Sequence, residues 1–351
     1  MSGYESYTVL GGETTKAAPS RPAPPRPVNQ GFFWGSMDAQ VLLRNRHIVV
    51  IGDSIQRCVY KDIVKLLQTN ELLTKNENET KLETSFWSDK LVQMANVGNN
   101  KECEEDREYQ SANGCHLVMY FYVTRCYGKR MVEVLRRLSD EKPDLIIMNS
   151  MLWDISRYGP PEKAEMAFLQ NLRELCVHLS RILKPQATFL WLSTPPVASE
   201  IGAGFLNKDI SFMSNSIRQG ILEVNYLAAQ LIGRFGFDYL DLHFFLRPLM
   251  THRKNDGVHW DAFAHRHISD LIFTHIARAW CPQLLQALQR HIPEEVKSGE
   301  QPVHLTAFSS RPEFRNDYLE SLEQIKHQIV ARKRPYIATG SNAVPCCSSL
   351  P

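Results

Sequence analysis

Several things are missing from this chain, and each absence narrows the reading. No apolar run approaches the roughly 20 residues needed to cross a bilayer. The first residues, M-S-G-Y-E-S-Y-T-V-L-G-G-E, hold no basic stretch followed by an apolar one, so they do not read as a secretory leader. The expectation is an intracellular protein, cytoplasmic in the simplest case, with no transmembrane segment. Charge of one sign is scarce as well. The formal net charge is +2 over 351 residues, and lysines and arginines are scattered rather than grouped with aromatics, so nucleic acid is not an expected partner. There is no Gly-rich phosphate loop, no heptad run and no internal repeat. His259, His265 and His267 have no Glu that completes a zinc pattern, and Cys103, Cys115 and Cys126 are irregularly spaced; neither a metal nor a cofactor is expected. In that compartment the eight cysteines read as reduced thiols, and the sequon Asn78-Glu79-Thr80 would stay bare.

What is present divides into three parts. Residues 1–36 are poor in periodic apolar positions and rich in Gly, Ser, Thr and Pro, and are expected to be disordered. Within them Arg21–Pro27, R-P-A-P-P-R-P, has the proline spacing of a polyproline II ligand for an SH3-type partner; a stiff linker is the simpler reading. Residues 37–282 carry the regular pattern. Residues 283–351 form an extension in which Tyr318, Leu322, Ile325 and Ile329 trace one amphipathic helix. Its disordered tail holds Cys346 and Cys347, which lack the amphipathic or transmembrane context of a palmitoylation site.

In the middle part, short continuous apolar runs alternate with helical periodicity. His47–Ile51, His116–Val123, Pro143–Ser150, Ala187–Thr194 and Phe237–Leu242 read as strands. Helices are expected over Met37–Arg44, Ile55–Leu67, Lys129–Ser139, Phe168–Ile182, Ser211–Arg234 and Trp260–Trp280. Residues 69–113 read as a polar, irregular insertion with at most short elements. Arg57 and Lys61 read as a solvated helix face. The pattern predicts a three-layer α/β/α fold with a central parallel sheet, flavodoxin-like, with ligands bound beyond the carboxyl ends of the strands. The polar residues sit at those ends: Gly52-Asp53-Ser54, Asn149-Ser150, Ser193-Thr194 and Asp241–His243.

Ser54 follows a strand and opens a helix. On its own it reads as a helix cap. As a nucleophile it needs a base, and N-D-G-V-H-W, Asn255–Trp260, offers one: Asp256 and His259 lie three apart on a turn before the last long helix. Both pieces follow strands, so both belong at one sheet edge. The G-x-S-x-G elbow of α/β-hydrolases is ruled out, because Gln56 stands where its second glycine belongs.

Three stretches together resemble the GDSL/SGNH hydrolases, and more closely the PC-esterase branch with its PC-esterase domain-containing proteins. They are V-V-I-G-D-S-I-Q-R-C-V-Y-K-D, P-D-L-I-I-M-N-S-M-L-W-D-I-S-R-Y-G, and D-L-H-F-F-L-R with D-G-V-H-W, spanning most of residues 40–280. The resemblance implies an SGNH-hydrolase-like fold, Ser54 as nucleophile, His259 as base and Asp256 as its partner. It implies hydrolysis of an acyl ester on a modified glycan, lipid or small molecule. It also implies three oxyanion donors: the serine N–H, a glycine N–H and an asparagine side chain from a G-x-N-D turn. Here that turn reads M-L-W-D, with Met151 and Trp153 in place of the glycine and asparagine and only Asp154 kept. Asn149, Ser150 or the Trp153 indole are the polar groups left to substitute, and Gly98 is the candidate glycine. The N–H groups of the helix beginning at Ile55 favour an anion without any asparagine. His243 is expected to line the same pocket. The alternative is a catalytically inactive binding or scaffold protein on the same fold.

Overall fold

The computed structural model describes residues 33–96, 101–201 and 214–290. In chain order its elements are α1 (Ser36–Leu42), β1 (Arg46–Gly52), α2 (Ser54–Leu66), α3 (Lys75–Glu79), β2 (Lys90–Ala95), β3 (Glu104–Gln110), β4 (His116–Tyr122), α4 (Lys129–Glu141), β5 (Leu145–Asn149), α5 (Met151–Arg157), α6 (Pro161–Ile182), β6 (Thr188–Leu192), α7 (Ser214–Arg234), β7 (Asp238–Leu240), α8 (Leu242–Phe245), a 3-10 segment (Arg247–His252), α9 (Ala262–Trp280) and α10 (Pro282–Arg290). Gly98, Arg21–Pro27, the Tyr318–Ile329 helix and Cys346/Cys347 lie outside the described residues.

The strands form one sheet in the order β2-β3-β4-β1-β5-β6-β7. From β4 to β7 the pairing is parallel. Counted within that part the order is 2-1-3-4-5, the flavodoxin-like winding, whose ligand site lies where the chain switches direction beside its first strand. The carboxyl ends are level there: Gly52 of β1 sits between Tyr122 of β4 and Asn149 of β5.

The apolar run of β1 explains why both faces are covered. Ile48 and Val50 point to one core, with Ile55, Val59 and Ile63 of α2 and Ile268 and Leu271 of α9. Val49 and Ile51 point to the other, with Leu135 of α4, Leu172 of α6 and Ile221 of α7. Alternation along a strand therefore assigns neighbouring residues to different helical layers, and each large aliphatic side chain so buried contributes roughly 1.5–3 kcal/mol.

Three expectations need correction. The insertion is no irregular loop. Its strand β3 pairs antiparallel with β4 and β2 pairs antiparallel with β3, so the central sheet is wholly parallel only from β4 onward. The apolar pattern failed there because the inward side chains of β3 are charged and paired. Arg107 is fully buried and its guanidinium grips Asp89 with Nε at 2.8 Å and Nη2 at 2.9 Å. Second, Arg57 and Lys61 do not face solvent. All of α2 from Ile55 to Leu66 is buried. Arg57 Nε donates to Glu105 at 2.7 Å, and Lys61 Nζ donates to the carbonyls of Glu77 and Thr80. Third, M-L-W-D, Met151–Asp154, read as a turn, opens the helix α5.

The packed unit reaches beyond the central segment at both ends. Trp34 is fully buried, its amide donating to Asp270 and its indole to Thr274, both on α9. Leu285 and Leu288 of α10 join the same core. Asn78 of the sequon is buried, and its amide donates to the Trp260 carbonyl at 3.0 Å, which leaves no room for a glycan. Among the described residues no helix is long and apolar enough to cross a membrane.

Candidate active site

The site begins at a close approach between two strands. Gly52 has φ +148°, and a Cβ there would stand 2.0 Å from the Asn149 carbonyl oxygen. Only glycine lets β1 and β5 run level to this point and then turn into α2. Asp53 caps that helix: its carboxylate accepts the Ile55 N–H at 2.9 Å. With its amide turned to donate, Gln56 reaches the same Asp53 oxygen at 3.0 Å and the Asn149 carbonyl at 3.2 Å. From below, the Tyr120 hydroxyl reaches the carbonyls of Gly52 at 3.1 Å and Asp53 at 2.9 Å. Asp53, Gln56 and the carbonyls of Gly52 and Asp53 are thus all anchored around Ser54.

The second piece is the loop 253–260. It is closed by the Arg253–Trp260 bridge and by the Lys254 N–H on the His259 carbonyl at 2.7 Å. Gly257 takes φ +80°, where a Cβ would stand 2.8 Å from both the Ala198 Cβ and the Glu200 carbonyl oxygen. The Ala198 N–H donates to its carbonyl at 2.7 Å. Asp256 folds back on its own loop, with Oδ1 accepting the N–H groups of Val258 and His259, each at 2.9 Å.

These two pieces meet. Ser54 Oγ lies 2.7 Å from His259 Nε2, and His259 Nδ1 lies 2.8 Å from Asp256 Oδ2. Partial burial works to raise the Asp256 carboxyl, but the hydrogen bonds from the His259 ring and from the backbone of Val258 and His259 outweigh it and hold it well below the usual carboxylate range. An ionised carboxylate only accepts, so the proton between them belongs on Nδ1. Nε2 is then the acceptor facing the Ser54 hydroxyl, the tautomer a general base needs.

The other residues singled out in the sequence do not converge on the hydroxyl. The Asn149 amide donates to the Leu192 carbonyl and to Thr194 Oγ1, while its oxygen accepts the Met151 N–H. Ser150 donates to Asp154 at 2.9 Å, and the Cys126 N–H reaches the same carboxyl at 2.8 Å. Burial pushes that carboxyl up to about 7. Trp153 is buried, with the Arg157 guanidinium 5.0 Å over its ring. The Ile55 N–H is taken by Asp53, and the Gln56 N–H supports that same carboxylate. The Ser54 N–H is therefore the first-turn amide left for an oxyanion among the described residues. His243 sits on α8, with its ring lowered to about 4 by burial and by the charges of Arg247 and Arg218, and it faces a neighbouring cavity.

Tyr120 and Gln56 were missed by sequence reasoning. Tyr120 is one aromatic in the strand H-L-V-M-Y-F-Y and carries no local sign of its hydrogen bonds to the turn. Gln56 was noticed only as a missing glycine.

No protein-family model matches the chain. Among curated proteins, it is 40% identical over 267 residues to human PC-esterase domain-containing protein 1A, covering 74% of this chain and 58% of that protein. The mouse 1A protein is 40% identical over 252 residues, with 70% and 56% covered, and human 1B is 36% identical over 257 residues, with 70% and 58% covered. The chain spans less than two thirds of the length of these relatives. Solved structures similar to it include a peptidoglycan O-acetylesterase at 10% identity and TM-score 0.43, with 72% of this chain and 97% of that one covered. A lipase/acylhydrolase from Enterococcus faecalis has 14% identity and TM-score 0.39, with 68% and 98% covered.

Proposed function

We propose that this homologue of the PC-esterase domain-containing proteins hydrolyses an acyl ester on a modified glycan, lipid or other small molecule, with Ser54 as nucleophile, His259 as general base and Asp256 as its partner. The observation that carries the reading is the continuous hydrogen-bond chain from Ser54 through His259 to Asp256 at the carboxyl edge of the sheet. In the first half-reaction Ser54 Oγ bonds to the ester carbonyl carbon while its proton passes to His259 Nε2. The imidazolium, steadied by Asp256, then protonates the departing alcohol. In the second half a water gives a proton to Nε2 and its oxygen bonds to the acyl carbon. The bond to Ser54 breaks, and the proton returns to Oγ. The carbonyl oxygen, negative in both transition states, meets the Ser54 N–H and the positive end of α2.

Each absent oxyanion donor costs on the order of 3 kcal/mol of transition-state stabilisation, so turnover slower than that of a three-donor enzyme is expected. The same observation favours a second reading, an inactive binding or scaffold protein: Asn149, Ser150 and Ile55 all spend their donors inside the fold. Covalent labelling by a fluorophosphonate separates the two. Labelling of the wild type, and its loss in Ser54→Ala and His259→Ala, is the expected result. For turnover of a small acetyl ester, Ser54→Ala is expected to lower the rate by a factor of up to about 10^6. A folded wild type that never labels leaves the binding reading in place.

A further inference from the structure

Beyond the carboxyl ends of β6 and β7 lies a cavity of about 600 Å³. Val197 and Ile221 give it an apolar wall, and Arg218, Arg247, Arg253 and His243 give it a polar one. It adjoins the loop of Asp256 and His259. The Ala198 N–H donates to the Gly257 carbonyl, and Arg253 is bridged to Trp260.

The arginines distinguish this cavity from an ordinary cleft. Three guanidinium groups from two distant segments gather at one cavity, and among the described residues none has a carboxylate within ion-pair distance. Arg253 donates to the Pro196 carbonyl at 3.3 Å, Arg247 meets His243 Nδ1 at 3.5 Å, and among the described residues Arg218 carries no hydrogen bond. Arg218 and Arg247 are exposed at the cavity's mouth and Arg253 is half-buried; burial lowers Arg253, and the Arg218 charge lowers it further. A guanidinium cannot escape such crowding by losing its proton. The hydrogen-bond forks left over suit a carboxylate, sulfate or phosphate. The volume is within the range of small-molecule sites.

We infer that this cavity is an anion-recognition subsite, holding an oxyanion group carried by the same ester whose acyl carbon Ser54 attacks. The anion site stands on the cavity alone; that its ligand is the substrate rests on the esterase reading above. The acyl ester would thus be that of an acidic molecule, with the acid held beside the catalytic loop and the ester presented to Ser54.

Two measurements test this on the full chain. The first is calorimetric titration at low salt with glucuronate, sulfate and inorganic phosphate, using wild type, Ser54→Ala, Arg218→Gln and Arg247→Gln. Wild type and Ser54→Ala are expected to bind at least one of the three equally well. Each arginine variant is expected to bind it about tenfold more weakly, equivalent to about 1.4 kcal/mol, with an unchanged unfolding midpoint. Wild type that binds none of them at millimolar concentration, or arginine variants that bind as tightly as wild type, overturn the site. The second compares hydrolysis of an acetylated methyl glucoside with that of the matching acetylated glucuronate. Preference for the acidic ester, lost in Arg218→Gln, supports the substrate assignment. Equal rates, with free anion binding intact, overturn it. If neither ester turns over and wild type does not label with the fluorophosphonate, while anion binding still depends on the arginines, the esterase reading fails and the anion site stands.

Discussion

The two flanks of the sheet treat positive charge in opposite ways. On the β2–β4 flank every buried cation has a carboxylate. Arg107 holds Asp89, Arg57 holds Glu105, and Lys65 reaches Glu77 at 2.9 Å. On the β6–β7 flank Arg218, Arg247 and Arg253 share a cavity and have none among the described residues. The first arrangement is closed, because each charge is answered inside the fold and reports on stability. The second is open, and its charges remain for something that arrives from outside. A list of cationic residues could not separate the two groups; what they touch does.

The comparison can be broken most forcefully at its closed end. Arg107→Ala leaves Asp89 buried without a guanidinium and leaves Glu105 with Arg57 alone. It is expected to lower the unfolding free energy by about 3–5 kcal/mol, read from the urea midpoint. A smaller test uses a buried acid that has no ion pair. Among the described residues Asp154 accepts from Ser150 and the Cys126 N–H alone, and burial raises it to about 7. Its folded value lies above its unfolded one, so the folded state binds the extra proton, and this group's contribution to stability declines as pH rises from about 4 to 7. Asp154→Asn removes that decline. Variant minus wild type should therefore shift in the variant's favour across this window by at least about 1 kcal/mol, and a flat difference would contradict the assigned burial. An acid can shed its charge in this way and an arginine cannot. The smallest effect belongs to the open end: Arg218→Gln should change stability by no more than about 0.5 kcal/mol, and a large loss would mean that its charge is structural after all.

What was legible in the sequence was whatever is encoded locally. β1, β4, β5 and β6 are continuous apolar runs because both faces of a parallel strand are covered, and that pattern needs no partner to be seen. Ser54, Asp256 and His259 each sit in a short stretch with its own turn chemistry, and the winding rule assigns both stretches to one edge. β3 was illegible for the converse reason. E-E-D-R-E-Y-Q looks like a solvated stretch until Asp89 and Arg57 come in to pair it, and those partners lie elsewhere in the chain. The same holds for Arg57 and Lys61, read as a wet helix face and found under the insertion. The M-L-W-D stretch read as an altered oxyanion turn, and its neighbours Asn149 and Ser150 read as replacement donors. Whether an amide faces a cleft or a neighbouring strand is decided by packing, and here Leu192, Thr194 and Asp154 claim them. The arginine cavity left no local trace, since its members come from α7 and from the segment after α8.

The clasp between Trp34 and α9 bears on how the chain comes into being. The amide and indole of Trp34 wait for Asp270 and Thr274, and Ser54 waits 205 residues for His259. During synthesis from the N-terminus, β1 and α2 emerge long before the helix that covers them. Ile55, Val59 and Ile63 must then stay uncovered, or be shielded by a chaperone, until nearly the whole domain has been translated. The same late closure that brings His259 to Ser54 leaves that face of α2 without its α9 cover for most of the domain's synthesis.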